Sequence, residues 1–444
     1  MKTTVAEKMS KTNRVFRLID RFVFAVLMIF LVIIVISSSR ANIHHDSIDY
    51  YAIVQRLTQD SGNPIARNLY FVEQRSPGYP IVSLIPYYLI SSLVEPFVQT
   101  EEIIASPDFA PVAATSPPPA GEPILFRDIF FKNFYIETQD SWFEWKIIAS
   151  MLFTGYALLF IGLIFVVKSL ALENKSFLGA SLAPLVAITS GVFMHNIVNT
   201  PAYATLTAFG VSCLFGYFFV KGSLERKFAS QFLSGLFVGL LVLTRLETIV
   251  IATVVLVSLV VIREFRFLKN YVLGALVPAS ILLLYNLSQF GNPFYLGLLR
   301  GDINLISLDL GYIYANLFNP QSGILFWSTL VSLGIIGLFL DDKRHTKILG
   351  ISSLALIALV LVRVPIMFNC VGEDTRLIGG LPVMCPNDMA DALMLVRFDT
   401  NRYITVLIPF SVIGLRALIT STPKLLRRFG LWQADLRSFW QVLL

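Results

Sequence analysis

The densest group of residues able to do acid–base or metal chemistry lies early in the chain: His44, His45, Asp46, Asp49, Tyr50 and Tyr51. Asp46, Tyr50, Ile53 and Leu57 recur at helical spacing. That spacing predicts a short amphipathic helix with a carboxylate at its start and an apolar stripe able to rest on a membrane core. An acid in that place can take a proton from an incoming hydroxyl, or it can simply cap its helix. Further on, Arg75, Ser76, Pro77, Gly78, Tyr79 and Pro80 form a rigid turn with one cation ahead of the apolar stretch Ile81 to Val98. A carboxylate and a guanidinium at the mouth of a helix bundle suit transfer from a phosphate-bearing donor, the acid as general base and the cation neutralising the leaving phosphate. A divalent metal on His44, His45 and Asp46, joined by His195, is the alternative use of the same residues. Adjacent histidines point in different directions on a helix, so His45 is the metal candidate carried forward.

These residues have to be positioned by a membrane. Of the 444 residues 55% are hydrophobic and 14% charged, against about 25% charged in soluble domains. The net charge of +6 sits in short clusters at the ends of apolar runs, which gives no support to nucleic-acid binding. Six clusters mark the cytoplasmic side, where short loops are enriched in Lys and Arg. They are the N-terminal group Lys2 to Arg21, Lys168 with Lys175, Lys221 with Arg226 and Lys227, Arg263 with Arg266 and Lys269, Lys343 with Arg344 and Lys347, and Lys424 with Arg427 and Arg428. Between them fall apolar stretches at 22–38, 146–167, 177–194, 201–220, 229–245, 248–262, 271–286, 323–340, 348–364 and 403–420.

The expectation is an all-α polytopic membrane protein of about ten transmembrane helices. Its parts are a cytoplasmic N-terminus (1–21), a first transmembrane helix (22–38) read as an uncleaved anchor, an extracytoplasmic loop (39–145), a transmembrane bundle (146–420) and a cytoplasmic tail (421–444). Within the loop, Ile81 to Val98 carries Pro86, Pro96 and the pair Tyr87 and Tyr88, which suits a helix at the interface. The competing reading, a true span balanced by Ile124 to Tyr135, requires Arg127, Asp128 and Lys132 in lipid. Thr100 to Glu122 is a Pro-rich insertion. Cys213 reads as packing, whereas Cys370 and Cys385 share one polar outer loop and form a candidate disulfide of an oxidising compartment.

The D-x-x-x-Y pattern of Asp46 and Tyr50 after the first span, followed by R-x-P-G-Y-P at Arg75 to Pro80, resembles the GT-C glycosyltransferases. Their relatives include protein O-mannosyltransferases and lipid A aminoarabinose transferases. Gly235 to Glu247, Asn286 to Pro293, Pro320 to Trp327 and Asn401 to Pro409 agree with that pattern in order. The resemblance implies a sugar carried on a polyprenyl phosphate, inversion at the anomeric carbon, and an Asp general base on the outer face. Asp46 takes the base position because Tyr50 follows four residues later, with Asp49 as the fallback. Arg75, Arg245 and Arg402 match arginines expected near the donor phosphate. Tyr50, Tyr79 and Glu247 are further substrate candidates. Arg245 and Glu247 can equally be a structural pair, and Arg402 beside Tyr403 an interfacial anchor. Where many relatives place a second acid, this chain reads His195, Asn196, Ile197, Val198, Asn199, Thr200 and Pro201; an amide cannot act as a base, so the sequence departs from a two-carboxylate pattern.

The function expected is transfer of a hexosyl or pentosyl group from a polyprenyl-phosphate donor to an acceptor lipid, glycan or protein during cell-envelope glycan biosynthesis. The location expected is a bacterial inner (plasma) membrane with the site on the periplasmic or extracellular face. A multi-span transporter or lipid flippase is the alternative from another class. It is disfavoured because ionisable residues concentrate at span mouths rather than at mid-membrane. A polysaccharide polymerase or ligase would share the donor chemistry and differ in its acceptor.

Overall fold

The computed structural model describes residues 2–37, 42–43, 45–58, 76–93, 135–136, 145–173, 179–198, 204–295, 313–314, 317–318, 323–362, 377–378, 381–382 and 401–428. The helices in order are α1 (Lys2–Ser37), α2 (His45–Thr58), α3 (Gly78–Leu93), α4 (Trp145–Glu173), α5 (Leu182–Thr189), α6 (Gly191–Val198) and α7 (Ala204–Glu225). They continue as α8 (Phe228–Thr244), α9 (Ile249–Val261), α10 (Phe265–Phe290), α11 (Ile324–Trp327), α12 (Thr329–Leu340), α13 (Arg344–Val362) and α14 (Ile408–Arg428). Short 3-10 turns cover Leu246–Thr248 and Asn401–Leu407. Extended structure is slight: Asn42–Ile43 pairs in parallel with Tyr135–Ile136, and Leu377–Ile378 pairs antiparallel with Leu381–Pro382. The first of these pairings ties the beginning of the 39–145 segment to its end.

Six helical segments are long and apolar enough to cross a bilayer: Leu18–Ser37, Lys146–Leu172, Ala204–Glu225, Phe265–Phe290, Arg344–Val362 and Tyr403–Thr422. Shorter apolar helices lie at Gly78–Leu93, Phe228–Thr244, Leu246–Val261 and Thr329–Leu340. α1 shows lipid exposure most clearly, since only 11% of its apolar window is buried; Phe22, Ile29, Ile33 and Ile36 all point outward. α3 has 16 residues, a rise of about 24 Å, which is short of the roughly 30 Å hydrocarbon layer.

Apolar side chains gain little by leaving lipid for one another, so helices in a bilayer associate where small residues let backbones touch. Three pairs here do so. A side chain on Gly235 would strike the Tyr271 backbone, and one on Gly274 the Phe232 carbonyl, which joins α8 to α10. A side chain on Gly334 would strike the Ser411 backbone and one on Gly414 the Gly334 carbonyl, which joins α12 to α14, and one on Gly337 would meet the Gly414 carbonyl. α4 meets α7 where Gly162 lies 3.0 Å from the Gly210 Cα, measured from an added Cβ, and where Gly210 abuts Leu158.

Two of the expected spans are interrupted. The stretch 177–194 divides at Ser190 into α5 and α6, each of 8 residues, and 323–340 divides at Ser328 into α11 and α12. Both serines are buried, and their hydroxyls lie 3.3 Å apart. The broken backbone remains hydrogen-bonded: Ser190 N–H donates to Val186 and Ser328 N–H to Ile324. Irregular backbone at membrane depth is tolerated when buried in protein in this way. A third long-range tie is Asp20 of α1, whose carboxylate accepts from the N–H groups of Gly179, Ala180 and Ser181 and from the Ser181 hydroxyl at 2.6–3.1 Å. Asp20 thereby caps the approach to α5 from another helix.

Candidate active site

The bundle has two ends. Thr205, Arg245, the 3-10 turn Asn401–Leu407, and the starts of α2, α3 and α4 collect at one of them; the connectors holding Arg226, Glu264 and Arg344 collect at the other. The first end carries the chemistry singled out from the sequence.

Arg245 is the whole backbone joint between α8 and the turn Leu246–Thr248. Its residue is extended (φ −144°, ψ 105°), and its carbonyl accepts from the Thr248 N–H and hydroxyl. The joint turns the side chain inward, where it is 7% exposed. The guanidinium donates from Nη2 to the Thr205 hydroxyl at 2.7 Å and lies 5.0 Å from the ring centre of Tyr403. Its Nε is buried with no hydrogen-bond partner. Among the described residues no carboxylate pairs with Arg245, and its hydrogen bond goes to Thr205 rather than to Glu247. The negative end of the α8 dipole offsets part of the charge. A buried cation with a spare donor is nonetheless costly, and it is the arrangement a phosphate would relieve.

The chain entering α3 passes directly beside this joint. A side chain on Gly78 would collide with the backbone of Leu243 and Thr244, so only glycine permits this approach. Ser76 and Pro77 are buried with it. Tyr79 is fully buried and donates from its hydroxyl to the Met151 carbonyl at 2.9 Å. Its ring meets that of Tyr50 edge-on, with centres 5.5 Å apart and planes at 70°. Burial, and the neighbouring tyrosines Tyr51 and Tyr50, push the Tyr79 hydroxyl well above the usual phenol range; burial alone does the same to Tyr51. Both stay neutral at any physiological pH.

Tyr50 links this wall to α2. The expected amphipathic stripe is not what α2 shows: every residue from Tyr50 to Gln55 is buried, packed with Tyr79, Tyr87, Ile147, Met151, Ala204 and Tyr285. From Tyr50 to Gln55 the helix is enclosed by α3, α4 and the start of α7 rather than resting one face on lipid. Alternation of polar and apolar residues could not reveal this, because Tyr50, Tyr51 and Gln55 are types that serve either surface. On α3 the aromatic pair divides in roles: Tyr87 is buried beneath the Lys146 ammonium, 5.5 Å from its ring centre, while Tyr88 is 57% exposed.

The structure thus brings Tyr50 against Tyr79, and Gly78 against the backbone just ahead of Arg245, with Glu247 two residues beyond Arg245 and half-buried. The backbones of His45, Asp46 and Asp49 fall in the first turns of α2, just ahead of Tyr50, and that of Arg402 in the turn beside Tyr403; the side chains of these four lie outside the described set. Arg75, Cys370 and Cys385 lie outside the described residues altogether. Among the described residues no group of three His, Cys, Asp or Glu stands ready to hold a metal. Cys213 is buried as a free thiol beside Gly162, in keeping with packing. Gly291 adopts φ 69° as the cap of α10, and Asn286 holds the following turn by donating to the carbonyls of Pro293 and Tyr295. Thr205, the hydrogen-bond partner of Arg245, was not legible in the sequence: a threonine at the start of an apolar run carries no signal of its own.

No protein-family model matches the sequence, and no curated protein matches it. Among solved structures the chain is similar to ArnT from Cupriavidus metallidurans, crystallised in the apo state, with a TM-score of 0.51 and 14% sequence identity. The match covers 91% of this chain and 60% of that one, so the chain spans less than two thirds of the length of the protein it resembles. At that identity the shared property is the fold. The chain is an all-α polytopic membrane protein whose fold is similar to that of ArnT.

Proposed function

We propose that this chain is a membrane glycosyltransferase that moves a sugar from a polyprenyl-phosphate donor to an acceptor hydroxyl on the extracytoplasmic face. The observation that carries the reading is Arg245, a buried cation that no described carboxylate neutralises and whose Nε has no partner. In the proposed reaction the acceptor oxygen attacks the anomeric carbon and gives its proton to Asp46. The bond from that carbon to the phosphate oxygen breaks with inversion, and the polyprenyl phosphate leaves with the electron pair. Arg245 receives the charge that develops on the leaving phosphate. Arg75 and Arg402 are proposed as further donor contacts, and Asp49 as the base if Asp46 is not.

The breaks at Ser190 and Ser328 are a feature that transporters also use at their binding sites. Here the two serines satisfy each other, and the segments flanking them, 186–194 and 324–332, hold no ionised acid or base. Transfer at the mouth of the bundle therefore remains the better reading.

The test uses undecaprenyl phosphate, the lipid product common to donors of this class. The full chain in detergent should bind it, and Arg245→Met should weaken that binding. Equal binding by both proteins would remove Arg245 from the site and with it the main support for the reading.

A further inference from the structure

At the end of the bundle opposite Arg245, three basic connectors converge on one cavity of about 290 Å³. Arg226 comes from the end of α7, Glu264 from the joint between α9 and α10, and Arg344 and His345 from the start of α13. The sequence separates these connectors by at least one helical hairpin each, and the fold brings them together. The enrichment of Lys and Arg assigns this end to the cytoplasm.

The cavity is built rather than a chance surface hollow. Its buried floor includes Gln231, whose carbonyl oxygen accepts from the Asn270 amide at 2.8 Å while its own amide donates to the Gly222 carbonyl at 3.4 Å. His345 is only 7% exposed although it stands in the first turn of its helix. Arg226 occupies the residue position after α7 at φ 54°, a left-handed conformation that glycine takes without strain and a residue with a Cβ does not. Its Nη2 donates to Glu264 at 3.3 Å, yet the side chain remains 72% exposed and able to turn toward a second acceptor. Arg344 has no ion-pair or hydrogen-bond partner among the described residues. Two guanidinium groups therefore share the lining with a single carboxylate, and the volume falls just below the range of roughly 300–1,000 Å³ for ligand pockets. Phe219, Leu259, Phe267 and Ile348 form the apolar part of the wall.

We propose that this cavity binds a phosphate-bearing anion at the cytoplasmic end of the bundle, held by Arg226 and Arg344, at a site separate from the one at Arg245. Basic pockets between membrane helices on that side are suited to lipid headgroups, and inorganic phosphate offers the same oxygens.

The test takes the purified full chain in detergent and measures, by native mass spectrometry and by titration, binding of phosphatidylglycerol, phosphatidylcholine and inorganic phosphate. Arg344→Gln and Arg226→Gly are compared with the unaltered chain. Each variant should weaken phosphatidylglycerol binding about tenfold, the loss of one charge-assisted hydrogen bond. Arg226→Gly should do so while leaving the melting temperature equal or higher, because glycine relieves the left-handed backbone. Competition by inorganic phosphate would identify a free phosphate as the ligand, and its failure to compete would identify the lipid; either supports the site. Equal binding of the two lipids with no effect of either variant, and no binding of phosphate, would overturn it. So would an Arg226→Gly protein that melts lower yet binds unchanged. Should Arg344→Gln fail to fold, Arg226→Gly alone still decides.

Discussion

Replacing Arg245 with methionine separates a functional cation from a structural one, because the first role shows in lipid affinity and the second in stability. Folding loses the hydrogen bond to Thr205, worth about 1.5–3 kcal/mol for a charged donor. It also loses the cation–π contact with Tyr403, worth about 2 kcal/mol when desolvated. Against that, the variant no longer buries a charge that no described carboxylate neutralises, a term of several kcal/mol per ion. Methionine retains most of the apolar stem and fills irregular space. The two sides nearly cancel, so unfolding free energy should change by less than about 2 kcal/mol. Affinity has no such compensation: loss of one charge-assisted contact to phosphate, about 1.5–3 kcal/mol, corresponds to a roughly 10- to 100-fold rise in Kd for undecaprenyl phosphate. The assay pairs thermal unfolding in detergent with lipid titration on the same preparations. A large fall in stability with unchanged lipid affinity would show that Arg245 holds the Thr205 and Tyr403 segments together and does nothing else.

Three further outcomes are expected. Asp46→Asn should abolish sugar transfer while the protein still inserts and melts normally, since the amide keeps the volume and loses the basicity; full activity in that variant would move the base to Asp49. Asp20→Ala leaves three N–H groups and a hydroxyl without their acceptor and should cost about 3 kcal/mol, seen as a lower melting temperature. No loss in that measurement would mean that water replaces the carboxylate. Gly235→Leu forces α8 away from the Tyr271 backbone of α10 and should destabilise by about 3 kcal/mol or abolish folding, whereas Gly239→Ala, whose added Cβ meets the Ala275 carbonyl at 3.0 Å and needs only a small shift, should cost less; equal melting of the two variants would contradict the close-packing account.

The positions of the spans were legible because lipid exposure demands long apolar runs and the intervening basic clusters mark turns. The run 229–245 became α8 (Phe228–Thr244) and 348–364 became α13 (Arg344–Val362), within a few residues. The breaks at Ser190 and Ser328 were not legible, because a single serine is tolerated inside an apolar helix and the hydroxyl contact that accompanies the breaks joins residues far apart in sequence. Asp20 was hidden for a related reason: set among Arg14, Arg17 and Arg21, it reads as one more solvated charge, and its acceptors' role appears only when the turn at Gly179 is brought beside it. At the candidate site the residue types that do chemistry were visible, Arg245 and Tyr79 among them. Their state was not: that Arg245 is buried with a spare donor, and that α2 is enclosed rather than laid on the membrane, follows from contacts with Thr205, Tyr403, Ala204 and Tyr285.

The central claim, that a lipid phosphate is received by Arg245, is tested most directly by an experimental structure of the full chain with undecaprenyl phosphate bound. The account predicts a phosphate oxygen about 2.7–2.9 Å from a guanidinium nitrogen of Arg245, with the Asp46 carboxylate facing the same space. A phosphate bound elsewhere in the bundle, with the Arg245 environment unchanged, would contradict it.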